Sequence, residues 1–187
     1  YDANAKGREY GQYFRLPMAP HIEVFAIDPN ADPNDPDAQG YDYGNKLLNR
    51  KFKIAFSSVA RDAEGNLIPD NCVEMRSNDV GVAPIVENDK VVAYQVFIGG
   101  GQGEKTGKPT FATLGKPLAV FTEDNLQKGL HSIVKVHEEW GDRKNRHWAR
   151  LKYVVNKQGI PWYQEQIKEK GAEFSMPIPD FDPGPRM

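Results

Sequence analysis

Two apolar runs, residues 80–86 and 91–98, stand on either side of the polar tetrapeptide Glu87-Asn88-Asp89-Lys90. The second run ends in three consecutive glycines, Gly99, Gly100 and Gly101. Runs of this length, rich in Val, Ile, Phe and Tyr, read as strands, and a short Asn/Asp loop between them reads as an antiparallel hairpin. The hairpin excludes an all-helical fold and puts a sheet at the centre. Residues 47–59 read as a further, long strand. Within it Phe52, Ile54 and Phe56 share one face, and Lys51, Lys53, Ala55 and Ser57 share the other. That second face is either a solvated side of an antiparallel sheet or a cationic surface with room for a flat object.

The last third reads as helical. Thr122 is an N-cap, Glu123 and Asp124 suit a first turn, and Leu126, Leu130, Ile133, Val134 and Val136 form a buried stripe up to Gly141. A second helix is expected over residues 144–157, with Trp148, Leu151 and Val155 buried. A third starts with Pro161 in its first turn and stops at Gly171. Residues 1–20 show no period, residues 21–27 read as a short strand, and residues 28–45, dense in Asp, Asn, Pro and Gly, read as a surface loop. Residues 60–79 are a polar excursion, and residues 99–118 a long ordered loop. The expectation is an α/β (α+β) fold. It has a mixed, mainly antiparallel sheet with the C-terminal helices on one face and the opposite face open to a ligand and a missing partner. Three parts are expected: an N-terminal strand-and-loop segment (1–46), a main domain (47–172) and an extended tail (173–187).

A chain of 187 residues, 39% hydrophobic, holds one domain with a real core. The net charge of −2 argues against nucleic acid as a partner, so any basic site is local. Cys72 is the only cysteine, which excludes a disulfide scaffold and a cysteine-only metal site within this chain. No apolar run has the length of a membrane span, and a reducing, cytoplasmic setting is expected. The chain opens on Tyr1, which points to a processed or excised polypeptide.

Candidate chemistry gathers at three places. The glycines let backbone approach a ligand or simply loosen a loop. Their spacing fits neither a dinucleotide fingerprint nor a phosphate loop, because Gly107-Lys108 is followed by Pro109. Arg143, Arg146 and Arg150 would lie within about 60° of one another on a helix. Near a helix start such cations oppose the macrodipole unless an anion is close. The other reading is a solvated face offset by Glu138, Glu139 and Asp142. His131, His137 and His147 make no metal set, and no G-x-S-x-G nucleophile is present.

Four blocks occur in order: Leu-Asn-Arg-Lys-Phe-Lys-Ile (48–54), Ser-Asn-Asp-Val-Gly (77–81), Val-Phe-Ile-Gly-Gly-Gly-Gln-Gly (96–103) and Gly-Asp-Arg-Lys-Asn-Arg-His-Trp-Ala-Arg-Leu-Lys-Tyr (141–153). Together they resemble the sulfite/nitrite reductase hemoprotein family over residues 47–171. The resemblance implies an oxidoreductase with siroheme coupled to a 4Fe-4S cluster, built from two pseudo-symmetric halves, of which this chain is similar to the first cofactor-facing half. It implies that Lys51 and Lys53 face the anionic substrate. It also implies that Gly99, Gly100, Gly101, Arg143, Arg146 and Arg150 hold the siroheme carboxylates. The expected partners are sulfite or nitrite, the remaining half of the reductase, and a ferredoxin or flavoprotein electron donor. The expected activity is reduction of sulfite to sulfide, with a ferredoxin-type nitrite reductase or a cofactor-free interaction module as alternatives. Three departures stand out. Asn49 occupies a position where the family pattern has Pro, residues 60–75 look inserted, and the cluster's cysteine ligands are missing. The cluster is therefore expected to be ligated outside this chain, which by itself would be inactive.

Overall fold

The computed structural model describes residues 1–14 and 47–182. In chain order the elements are α1 (Ala3–Tyr13), β1 (Ile54–Phe56), β2 (Val59–Arg61), β3 (Leu67–Pro69), β4 (Val80–Glu87), β5 (Lys90–Ile98), β6 (Lys116–Phe121), α2 (Glu123–Trp140), α3 (Leu151–Gln158) and α4 (Ile160–Glu169). Short 3-10 turns occupy Met75–Ser77 and Arg146–Trp148. The strand expected at 21–27 and the loop at 28–45 lie outside the described residues.

β4 and β5 form the expected hairpin. Its loop is only Asn88 and Asp89, both at positive φ, the backbone that a tight two-residue hairpin turn demands and that Asn and Asp tolerate. β6 pairs antiparallel with β5, and β1 pairs parallel with β4, giving the order β1-β4-β5-β6. A parallel neighbour needs a long crossover. Residues 57–79 supply it, and the polar excursion expected over 60–79 carries most of the small antiparallel β2–β3 ladder.

Alternation along β4 and β5 separates two faces. Val80, Val82, Tyr94, Val96 and Ile98 join Leu126, Leu130, Ile133, Leu151 and Tyr163 of the helices in the main core. The Tyr163 hydroxyl donates to the Ile133 carbonyl at 2.9 Å, which satisfies the one polar atom of a completely buried ring. The opposite face is not open. Ala83 and Phe97 pack with Met75, Ala55 and Phe181. Buried Gln95 exchanges side-chain hydrogen bonds with the backbone of Ile178 at 2.8 and 3.2 Å, and Val120 and Ser175 pair through two backbone bonds of 2.9 Å. The C-terminal segment thus docks as cover over the face expected to meet a ligand.

Four expectations are corrected here. Residues 47–53 are not strand. Of the strand expected over 47–59, residues 54–56 join the main sheet and Val59 joins the β2–β3 ladder, while the stretch before them is fastened to a loop. Residues 1–20 contain α1, capped by Asp2 Oδ1 accepting from Asn4 N (2.8 Å) and Ala5 N (3.0 Å); Tyr10 is its single buried residue, so no apolar stripe marks it. The loop after the glycines ends at Lys116, where β6 begins. The helix expected over 144–157 is broken, and its regular part starts only at Leu151.

α1 packs on the edge of the sheet. Tyr10 stacks on Phe56 with ring centroids 5.1 Å apart, and Lys6 pairs with Glu123, which also accepts from the Tyr94 hydroxyl at 2.6 Å.

Candidate functional site

The segment 47–53 keeps its alternation without a strand. Phe52 is half-buried against the core, and its neighbours Lys51 and Lys53 are exposed. Polar contacts, not a ladder, hold it in place. Arg143 donates to the carbonyls of Leu47 (2.7 Å) and Glu138 (2.9 Å), Asn49 Nδ2 to Asp142 O (2.7 Å), and Arg50 Nη1 to Arg146 O (2.9 Å). Asn49, standing in place of the expected Pro, thereby makes a bond that Pro lacks the atoms to make. Behind Phe52 lies the buried His137 ring, 5.3 Å away between centroids. Burial, with Arg143 and Arg150 nearby, pushes its pKa down to about 4.

The arginines do not share a helix. Asp142 Oδ1 accepts from the amides of Lys144 and Asn145 at 2.8 Å, and Asn145 Oδ1 accepts from His147 N at 3.0 Å. These side-chain turns compete with the helical ladder. Arg150 has extended backbone (φ −82°, ψ 152°) and caps α3. The three guanidiniums therefore do different things. Arg143 is engaged with two carbonyls, Arg146 is exposed, and Arg150 forks onto Asp79. Its Nε reaches Oδ1 and its Nη2 reaches Oδ2, both at 2.8 Å. Asp79 is completely buried and also accepts from Lys53 N at 3.0 Å.

The glycines serve close packing against the chain itself. Gly99 takes φ +83° and donates to Asp79 O at 2.8 Å. A Cβ on Gly100 would collide with the Arg76 carbonyl oxygen and lie 2.5 Å from that of Asn78. Gly101 bridges to Thr113. Lys152 holds the loop between these two residues. Its buried ammonium donates to the carbonyls of Gly103 (2.7 Å), Gly101 (3.4 Å) and Phe111, and sits 5.3 Å from the Tyr153 ring centroid. Burial, then the charge of Arg150, holds its pKa below the ordinary lysine range.

Two adjoining cavities result. A groove of about 800 Å³ runs between α1 and the β1 edge, with Phe14, Phe52 and Ile54 among its apolar lining and Arg50, Lys51 and Arg146 among its cations. A pocket of about 320 Å³ is lined by Arg50, Lys105, Arg146, His147, Arg150 and Lys152, with Glu104 the acid among its residues. Arg50 and Arg146 belong to both. The structure thus brings Lys51 together with Arg146, and Arg146 with Arg150. Lys53, Arg143 and the three glycines line neither cavity. The small side chains expected to leave room beyond the lysines do not: Ala55 packs with Met75, and buried Ser57 donates to the Asp70 carbonyl. Sequence reasoning missed Arg50, Lys105, Lys152 and Asp79. All but Lys105 stood inside the quoted blocks, but only the fold shows what each one faces.

A sequence model of the nitrite and sulphite reductase 4Fe-4S domain family matches residues 25–174. This chain belongs to that family. Among its relatives, the sulfite reductase (NADPH) hemoprotein beta-component of Staphylococcus carnosus is 32% identical over 129 residues, which are 68% of this chain and 21% of that protein. Sulfite reductase (NADPH) subunit beta of Schizosaccharomyces pombe is 35% identical over 128 residues, 68% of this chain and 8% of that protein. The chain spans about a fifth of the length of its bacterial relatives. The solved structure of the Mycobacterium tuberculosis NirA protein superposes with a TM-score of 0.56 at 21% identity, covering 71% of this chain and 22% of that one. The mixed, mainly antiparallel sheet with its helices is therefore the fold seen in this family of oxidoreductases. Cysteine-ligated 4Fe-4S clusters take four thiolates. Cys72 is the lone cysteine and is exposed, and no group of His, Cys, Asp and Glu among the described residues suits a metal. The donor set of this chain does not fit such a cluster. Among the described residues no helix is long and apolar enough to cross a membrane.

Proposed function

We propose that this chain is part of a siroheme-dependent sulfite reductase that converts sulfite to sulfide. The observation that carries the proposal is the shared wall of the two cavities: Arg50 and Arg146 line both the apolar groove, with Lys51 at its side, and the pocket that also holds Lys105 and Arg150. The groove volume lies in the range of cofactor sites. A flat macrocycle with several carboxylates needs an apolar surface and clustered cations, and these residues fit both demands. Arg146, Arg150 and Arg50 would hold the carboxylates. Arg143 and Gly99 to Gly101 support that wall from behind.

The siroheme, when bound, would pass to the substrate the electrons that the external donor provides. Lys51 and Lys53, on either side of Phe52, attract the anionic substrate. Their ammonium groups stabilise its charge and donate protons as its oxygens leave as water. The 4Fe-4S cluster is ligated outside this chain. The remaining half of the reductase and a flavoprotein or ferredoxin donor complete the enzyme, and this chain alone does not turn over substrate. In the complete enzyme, Lys51→Ala and Lys53→Ala are expected to lower turnover about a hundredfold with near-normal siroheme content. A proportionate loss of siroheme in both variants would show that the lysines serve cofactor retention instead.

A further inference from the structure

Asp79 places a buried negative charge directly behind a site made of cations. Its carboxylate receives the Arg150 fork at 2.8 and 2.8 Å and the Lys53 amide at 3.0 Å. Its own carbonyl accepts from Gly99 N at 2.8 Å, and the next residue, Val80, donates to the Lys53 carbonyl at 3.0 Å. One residue thus joins the lysine segment, the glycine run and the start of α3. For attraction of an anion alone this carboxylate is counterproductive, since it offsets the charge of Arg150 in a region where charges are weakly screened. Its geometric effect is the opposite. A two-point fork removes the torsional freedom of a long side chain before any ligand arrives.

We infer that Asp79 is a positioning residue, which fixes the Arg150 guanidinium relative to the Lys53 backbone so that the basic pocket meets an anionic ligand with its cations already oriented. The inference rests on the proposed reading of the pocket as an anion site. The sign of one substitution separates orientation from field. Asp79→Asn removes a unit of negative charge, so a field-only site would bind a polyanion more tightly. A site that depends on orientation would bind it more weakly.

The test uses the full 187-residue chain with uroporphyrin, an octacarboxylate tetrapyrrole, titrated by fluorescence. Asp79→Asn is expected to weaken binding at least about tenfold. Arg150→Lys keeps the charge but lacks the fork, leaves the acid in place should Asp79→Asn fail to fold, and is expected to weaken binding similarly. The double variant should be no worse than either single one, because both remove the same interaction. Unchanged or tighter binding by either single variant, or additive losses, would overturn the inference while leaving the pocket reading intact. A second arm needs no ligand: the Arg150 Nε–H signal in nitrogen-edited NMR should exchange slowly in the wild-type chain and rapidly in Asp79→Asn. If the wild-type chain ignores uroporphyrin, the pocket reading fails and this arm decides the orientation claim. A rapidly exchanging wild-type signal would refute it.

Discussion

A methyl group on Gly100 has nowhere to go. It would meet backbone oxygens of Arg76 and Asn78, which cannot swing aside as a side chain can, whereas a Cβ on Gly103 meets nothing within 4 Å. Gly100→Ala is therefore expected to destabilise the chain by about 3 kcal/mol in denaturant unfolding, with Gly103→Ala near neutral. From the sequence these glycines read as an approach to a ligand or a loose loop. The turn at 75–78 that crosses behind them leaves no local signal at the glycines. His137 gives a second prediction. Its folded pKa of about 4 lies below the ordinary value near 6.5, so the unfolded chain binds the extra proton between those values. The stabilisation is complete above pH 6.5 and is lost as pH falls toward 4, about 3 kcal/mol in all. His131, lowered by burial, acts in the same direction. Thermal melts from pH 7 to 4 should show this slope, and His137→Asn should flatten most of it. An unchanged slope would remove His137 as its source. The Asp79–Arg150 pair was present in the quoted blocks but joins residues 71 positions apart, and no local pattern announces such a partnership.

Elements held by their own patterns were legible from sequence, whereas elements defined by a neighbour were not. The β4–β5 hairpin, α2 with its buried stripe, and α4 after Pro161 all follow from apolar spacing, turn residues and caps. Residues 47–53 alternate like a strand, but the sheet edge receives only residues 54–56. The expected second helix fails for a reason written in its sequence, the capping side chains of Asp142 and Asn145. The loop between Gly101 and Thr113 depends on Lys152, whose ammonium is met by three carbonyls. Lys152→Met should speed amide exchange at Gly101 and Thr113 and cost about 2 kcal/mol, since the carbonyls lose a charged donor. Unaltered exchange at both amides would mean that the loop is ordered without it.

Across the molecule, Lys51 and Arg146 line one groove and Arg146 and Arg150 a second pocket, while Lys53 lines neither; the route is not a strand face opposed to a helix stripe. Loop residues pinned by Arg143, Asn49 and Asp79 bring Lys51 and Arg146 together, and the resulting groove opens beside α1 rather than on the sheet's far face. The far face, expected to stand open to a ligand and a missing partner, is covered by the segment around Ser175 to Phe181. The central claim, that the adjoining cavities receive a polycarboxylate tetrapyrrole, is tested most directly by absorbance titration of the purified chain with siroheme. A saturable shift of the Soret band is predicted, abolished in the Arg50→Glu/Arg146→Glu variant at unchanged circular dichroism. A Soret band that does not move on adding the wild-type chain, or moves equally with the variant, would contradict it.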